Sequence, residues 1–279
     1  MNDFLFYSLL LLLFVRIIGF GVAIDLFLIK KRTKYKALII GWLLWIISTV
    51  FPSIFTNIED SVISRGMFVL NSIIILLGMI FIIIWAISYF RKLSPKLLLS
   101  LIAMIILIPI LLFFLGGYEL ALNFTSLSFT GLYLIMLIIS WIERHNLKPL
   151  IGNSIKWYYG TIAFGFFYIV NGLLLALEGY SFGLYQVDIP IIIIRHYFFV
   201  IGFTFLLAIL SVSLEQSVSE LQKFRLRDIY SHEVGNIMQI ILNNLEAIQN
   251  LEEKDSTSME LIKEKCVKAG ELIKEIREL

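Results

Sequence analysis

Long apolar segments, separated by short polar connections, dominate the first three-quarters of this 279-residue sequence. A membrane-spanning helix needs about 17 to 25 mainly apolar residues, and stretches of that length lie at 4–29, 37–57, 66–90, 97–116, 125–142, 157–177 and 190–213. The whole chain is 59% hydrophobic and only 16% charged, whereas soluble proteins have about 45 to 50% apolar and about 25% charged residues. The sequence therefore predicts an all-α membrane protein whose residues 1–213 form a seven-helix transmembrane bundle.

The charges of the connections alternate in sign along the chain. The first, third and fifth connections are basic, and the other three are acidic or neutral apart from Arg65. Because cytoplasmic loops are enriched in Lys and Arg, we expect a multi-pass protein of the plasma membrane with its N-terminus outside and its C-terminus in the cytoplasm. The basic set is Lys30, Lys31, Arg32, Lys34, Lys36, Arg91, Lys92, Lys96, Arg144, Lys148 and Lys156. A net charge of only +2 gives no reason to expect a nucleic-acid partner.

Ionisable side chains inside a membrane helix are costly and mark functional sites by default. Arg16 lies near the middle of the first segment, and Arg195 and His196 lie in the seventh. We predict that these three line a pocket, open to the outside, for an anionic or polar ligand. Two other interpretations stay open: Arg16 forms a structural hydrogen bond to a backbone carbonyl, Asn71 or Asn171, and Arg195 extends to the outer membrane surface.

Several cofactor classes are not expected. A retinal Schiff base needs a lysine inside a span, and bis-imidazole haem needs two histidines at matched depth, whereas the segments hold no such lysine and His196 alone. The single cysteine, Cys266, supports neither a disulfide nor a zinc site. We therefore expect no cofactor and no metal ion bound within this chain.

From residue 214 the sequence becomes charge-rich and helical. Residues 214–229 are predicted as a signalling stalk that continues the seventh helix, and residues 230–279 as an antiparallel helical hairpin. One apolar seam of this hairpin consists of Tyr230, Val234, Ile237, Ile241, Leu245 and Ile248, and the other of Met259, Ile262, Cys266, Ala269, Ile273 and Ile276. Because a hairpin cannot bury both seams well alone, we expect a homodimeric four-helix bundle with Cys266 as a small core residue.

Three polar residues of the first hairpin helix form a possible chemical site. His232 projects opposite the apolar seam, which leaves its imidazole accessible. Glu233 can accept a hydrogen bond from one ring nitrogen and so leave the other as a nucleophile. Asn236, one turn later, can contact an incoming phosphoryl group or water. The alternative interpretation is that His232 is an ordinary surface histidine without a chemical role.

Residues 224–279 resemble the dimerisation and phosphoacceptor domain of sensor histidine kinases. Ser231, His232, Glu233 and Asn236 are similar to that family's H-box, and residues 260–279 to its second helix, although Gly235 and Ile237 stand where Arg and Pro usually follow. The resemblance implies that residues 1–213 sense a signal and that His232 is the phosphoacceptor, activated by Glu233, with Asn236 assisting phosphatase chemistry. It implies ATP with Mg as the phosphoryl source and a response regulator as the acceptor partner.

The family's ATP-binding domain is not in this sequence, so we do not expect the chain to act as an enzyme by itself. Three explanations stay open: a longer kinase of which this is a part, a receptor phosphorylated in trans by a separate ATP-binding domain, or a receptor with a non-catalytic dimerising tail. A seven-span transporter is the alternative from another class, although no repeat of hydropathy supports it.

Overall fold

The computed structural model describes residues 3–55, 61–89, 94–142, 145, 151–177, 190–249 and 256–278. The protein is all-helical, and none of these residues is in a strand. The helices are α1 (Asp3–Lys30), α2 (Lys34–Phe55), α3 (Ser61–Ile87), α4 (Pro95–Gly116), α5 (Tyr118–Ile142), α6 (Ile155–Leu177), α7 (Pro190–Gln249) and α8 (Ser256–Glu278), with a short 3₁₀ turn at Gly152–Ser154.

Six of these helices are long and apolar enough to cross a membrane: α1 to α5 and α7. Helix α6, the sixth of the seven predicted spans, is not among these six, for which only the described residues count. Large apolar side chains point outward from the bundle, among them Phe14, Leu99 and Phe114. Such an exposed apolar surface is what a bilayer would cover, so the fold is that of a membrane protein.

The core of the bundle is built around α2 and α3. Three tryptophans, Trp42, Trp45 and Trp85, are buried there together with aliphatic residues of both helices. Gly41 of α2 faces Gly78 of α3 so closely that a methyl group on Gly41 would lie 3.0 Å from the Gly78 carbonyl oxygen. Small residues permit this backbone approach, as is common between membrane helices. The two helices thereby form a fixed frame for the remaining spans.

The chain divides into two compact units, Met1–Glu215 and Gln216–Leu279. The second unit contains the last part of α7 and all of α8. Among its described residues, Ile237, Ile241 and Ala269 are buried, with Tyr230, Val234 and Ile262 packed against them. The side chains of five further predicted seam residues lie outside the described part: Leu245, Ile248, Met259, Ile273 and Ile276. These residues belong to the two seams that the spacing predicts.

Cys266 is exposed in the single chain. Helix α8 packs against α7 through Ile262 and Ala269, and Cys266 lies beside this contact. The burial of Cys266 was predicted for a homodimeric four-helix bundle and stays a prediction.

Candidate functional site

His232 lies on the exposed face of α7 in the second unit. The side chains of Ser231, His232 and Asn236 are all exposed, whereas Ile237 and Ile241 on the same helix are buried against α8. The helix is unbroken through this region, so the exposure of His232 follows from helical geometry and from the position of the apolar seam. A reaction partner therefore has direct access to the imidazole.

His232 shares one open face of α7 with five other residues. They are Arg225, Asp228, Ile229, Glu233 and Asn236. An arginine guanidinium is a strong ligand for phosphoryl oxygens, and an asparagine amide can donate to the same oxygens. This face thus carries a nucleophile, two carboxylates and two groups able to bind phosphate.

Sequence reasoning missed Arg225 and Asp228, although their spacing gave a signal. They precede His232 by seven and four residues, which are the positions that share a helical face with it. The structure makes them neighbours of His232 on the helix surface.

Glu233 forms an ion pair with Lys268 of α8, with 3.7 Å between its carboxylate and the lysine Nζ. Both side chains are about half exposed, at 44% and 52%. The pair joins the two hairpin helices beside His232. The role predicted for Glu233, to orient the imidazole, stays a prediction.

A buried charged cluster surrounds Glu215 of α7, the last residue of the first unit. Glu215 is only 4% exposed, and its two carboxylate oxygens lie 3.7 Å from Lys30 Nζ and 3.6 Å from Lys34 Nζ. The hydroxyls of Tyr35 and Tyr89 donate hydrogen bonds to the same carboxylate. Glu215 of α7 therefore contacts the end of α1, the start of α2 and the segment after α3.

The local structure explains why both lysines reach Glu215. Lys31 has a φ of 49°, a left-handed conformation that ends α1, and its amide donates to the Phe27 carbonyl at 2.8 Å. Helix α2 begins at Lys34, so Lys30 and Lys34 flank a very short turn. The ammonium group of Lys34 also lies 3.5 Å from the centre of the Tyr89 ring, a favourable cation–π contact.

The cluster is polar but well satisfied. Burial raises the pKa of Tyr89, which keeps its hydroxyl protonated as a donor to Glu215. A second contact at the same end joins the turn before α6 to α7: the Ser154 hydroxyl donates to the Ser213 carbonyl at 2.6 Å. Residues 213–215 of α7 are thus held by side chains from four parts of the first unit.

Glu215 was not singled out from the sequence, where it is the first charge after the last apolar segment. The available signal was its position, since a carboxylate at the basic end of a bundle has lysines of the first connection as natural partners. Choosing Lys30 and Lys34 among the many basic residues required the tertiary structure.

Arg16 is buried, and its guanidinium binds helix α2. It donates to the Trp45 carbonyl, to the Ser48 hydroxyl at 3.0 Å and to the Thr49 hydroxyl at 2.6 Å. Its guanidinium carbon lies 5.3 Å from the centre of the Trp45 ring. These contacts agree with the structural interpretation of Arg16 as a donor to a backbone carbonyl, here that of Trp45 in α2.

The other two residues of the predicted pocket differ in burial. His196 is buried between Tyr168 and Tyr197, with ring centres 5.6 and 5.4 Å away. Arg195 is half-buried. The binding of an anionic ligand by Arg16, Arg195 and His196 stays a prediction. The guanidinium of Arg16 already donates hydrogen bonds to α2.

This chain matches no protein-family model, no curated protein and no solved structure. Within the part of the chain that the structure describes, no three His, Cys, Asp or Glu side chains are grouped to hold a metal ion.

Proposed function

We propose that this chain is the membrane receptor of a histidine-to-aspartate phosphorelay, with His232 as the phosphoacceptor. The observation that carries the proposal is the course of α7: one helix begins at Pro190 among apolar spans and continues to Gln249, presenting an exposed His232 on the way. In this proposal α6 is a seventh span, the N-terminus is outside and the hairpin is cytoplasmic. The family resemblance of residues 224–279 supplies the reaction type.

The proposed reaction forms a nitrogen–phosphorus bond. Nε2 of neutral His232 attacks the γ-phosphorus of ATP, the bond to the β-phosphate oxygen breaks, and ADP with its Mg leaves. Arg225 and Asn236 lie on the same helix face as His232 and are suited to binding the transferred oxygens. An aspartate of a response regulator then takes the phosphoryl group and returns His232 to its free form. The ATP-binding domain comes from a longer chain or a separate protein.

The cluster around Glu215 supports a path for the signal. Because Glu215 binds Lys30, Lys34, Tyr35 and Tyr89, a change in the packing of α1, α2 or α3 moves or releases α7 at that point. Helix α7 leads directly from Glu215 to His232. We propose that this junction transmits the state of the bundle to the hairpin.

A homodimer belongs to the same proposal. Large apolar side chains of the second unit stay exposed in the single chain, including Ile229, Leu242 and Val267. Exposed apolar groups on a small domain are a common sign of a partner surface. Slower maleimide labelling of Cys266 as the protein concentration rises would support dimerisation through the face that carries it.

The test joins the full chain in lipid nanodiscs to an ATP-binding domain of a sensor histidine kinase and supplies labelled ATP with Mg. We expect acid-labile, alkali-stable label on His232 and none in a His232→Gln variant. A matched control is His145→Gln, which removes another exposed histidine and should keep the label.

Equal labelling of wild type and His232→Gln would contradict the proposal. If neither form is labelled while the supplied domain phosphorylates its own partner, the non-catalytic dimerising tail becomes the better interpretation. Uptake of a solute into vesicles would instead favour the transporter.

A further inference from the structure

A cavity between α3 and α5 is separate from His232 and from the Glu215 cluster. It has a volume of about 90 Å³, room for several water molecules or a compact organic group. Its walls include Phe68 and Asn71 of α3, Thr125 and Phe129 of α5, and Tyr168 of α6. Arg16, Arg195 and His196 are not among its lining residues, although Tyr168 contacts the ring of His196 on another side.

Asn71 gives this cavity a polar group that lacks a hydrogen-bond partner. Its side chain is 3% exposed, and its buried Oδ1 has no hydrogen-bond partner within the described part of the chain. A buried acceptor without a donor is unfavourable by the full cost of its lost hydration. Because Asn71 also lines the cavity, a molecule there can supply the donor.

The neighbouring hydroxyls offer acceptors as well. Ser72 donates its proton to the Phe68 carbonyl at 3.0 Å, and Thr125 donates its proton to the Leu122 carbonyl at 2.8 Å. Their oxygens keep lone pairs toward other donors. The hydroxyls of three further lining residues can donate as well as accept: Tyr118, Ser126 and Tyr168. The polar part of the cavity therefore suits a ligand hydroxyl or amide, which can pair with acceptors and donors.

Charge narrows the choice of ligand. Among the described residues that line the cavity, none is Asp, Glu, Lys, Arg or His, so neither an ammonium nor a carboxylate ligand meets an opposite charge there. Phe68, Leu76 and Phe129 provide apolar walls for a hydrocarbon or aromatic body. We propose that this cavity binds a small, neutral amphiphile that places a hydroxyl or amide N–H against Asn71. This binding site goes beyond the phosphoacceptor function and is measured without phosphoryl transfer.

The experiment uses the full chain in lipid nanodiscs with a short-chain alkanol that carries a photoreactive diazirine. We expect label in the peptides of α3 and α5 that contain Asn71 and Thr125, with competition by the unlabelled alkanol. The matched alkane without a hydroxyl should label these peptides less. Asn71→Leu and Thr125→Val should each lower the labelling about five-fold, as expected for one hydrogen bond of about 1 kcal/mol.

Asn171→Leu is the matched control. Asn171 is equally buried at 4% and also has an unpartnered side-chain atom, but it does not line the cavity, so its variant should keep wild-type labelling. Equal labelling by alkanol and alkane, or labelling unchanged in both Asn71→Leu and Thr125→Val, overturns the proposal. Thr125→Val nearly conserves side-chain shape and keeps the test decisive if Asn71→Leu does not fold.

Discussion

Two ion pairs of this protein have the same length but differ in how far their carboxylates are exposed to solvent. Lys30 lies 3.7 Å from Glu215 in the first unit, and Lys268 lies 3.7 Å from Glu233 in the second. The side chain of Glu215 is 5% exposed, whereas that of Glu233 is 44% exposed. The comparison shows that distance alone does not rank ionic contacts, because the surrounding medium sets the strength of the interaction and the penalty for breaking it.

The two units differ in how they treat polar groups. In the first unit, Arg16 and Glu215 are buried and have polar partners. In the second, the described core is apolar, and His232 and Asn236 are exposed. Buried polar contacts hold α7 in the first unit, and exposed groups suit the reaction proposed for the second.

The largest effect is expected from Glu215→Leu. Removing the carboxylate leaves Lys30 and Lys34 near each other without their shared partner, so the free energy of unfolding should fall by about 3 to 5 kcal/mol. Steric trapping in bicelles measures this quantity. Glu220→Leu, an exposed acid on the same helix, is the control and should leave stability nearly unchanged.

A triple variant sharpens this prediction. Replacing Glu215, Lys30 and Lys34 together by apolar residues removes all three charges, so it should recover much of the stability lost in Glu215→Leu. If the single variant is as stable as wild type, Glu215 is not a buried ionic centre and the contrast between the units is wrong.

A smaller but clear effect is expected from Ile237→Ala in the second unit. Truncating one of three buried residues should destabilise the hairpin by about 2 to 3 kcal/mol. Hydrogen exchange of the full chain should then be faster at residues 230–244 and 260–271 and unchanged in α2 and α3. Faster exchange throughout the protein would show that the two units unfold together.

Arg16→Met should have a more modest effect. The Trp45 carbonyl also accepts hydrogen bonds from Ser48 and Thr49, both at 2.8 Å, so it keeps donors when the guanidinium is removed. We expect a loss of about 1 to 2 kcal/mol, since relief of a buried charge offsets part of the lost hydrogen bonding. Arg65→Met, which removes an exposed arginine, is the comparison. A loss as large as that of Glu215→Leu would contradict the assigned contacts.

The smallest effect is expected from Lys268→Met. A half-exposed ion pair contributes about 0 to 1 kcal/mol, so stability should change within that range and lose its dependence on salt at this site. The readout is the unfolding free energy at low and high ionic strength. A salt-independent loss above this range would show that Glu233 and Lys268 act as a buried pair.

Much of the helical architecture could be predicted from the sequence. Apolar length located the helices, and the spacing of Tyr230, Val234, Ile237 and Ile241 located the hairpin seam. The burial predicted for Cys266 in a homodimeric bundle stays a prediction, since the residue is exposed in the single chain. It missed Glu215, whose partners lie on helices far away in the chain.

The sequence by itself determined what its local periodicity and hydropathy can determine: an all-helical chain with long apolar helices and an exposed His232 near its end. The tertiary structure decided which buried polar groups have partners. Arg16 binds α2, Glu215 binds two lysines, and Asn71 lines a cavity with an unpartnered oxygen. The physical reason is that burial and pairing depend on residues brought together from distant parts of the chain, whereas periodicity records only neighbours on one helix.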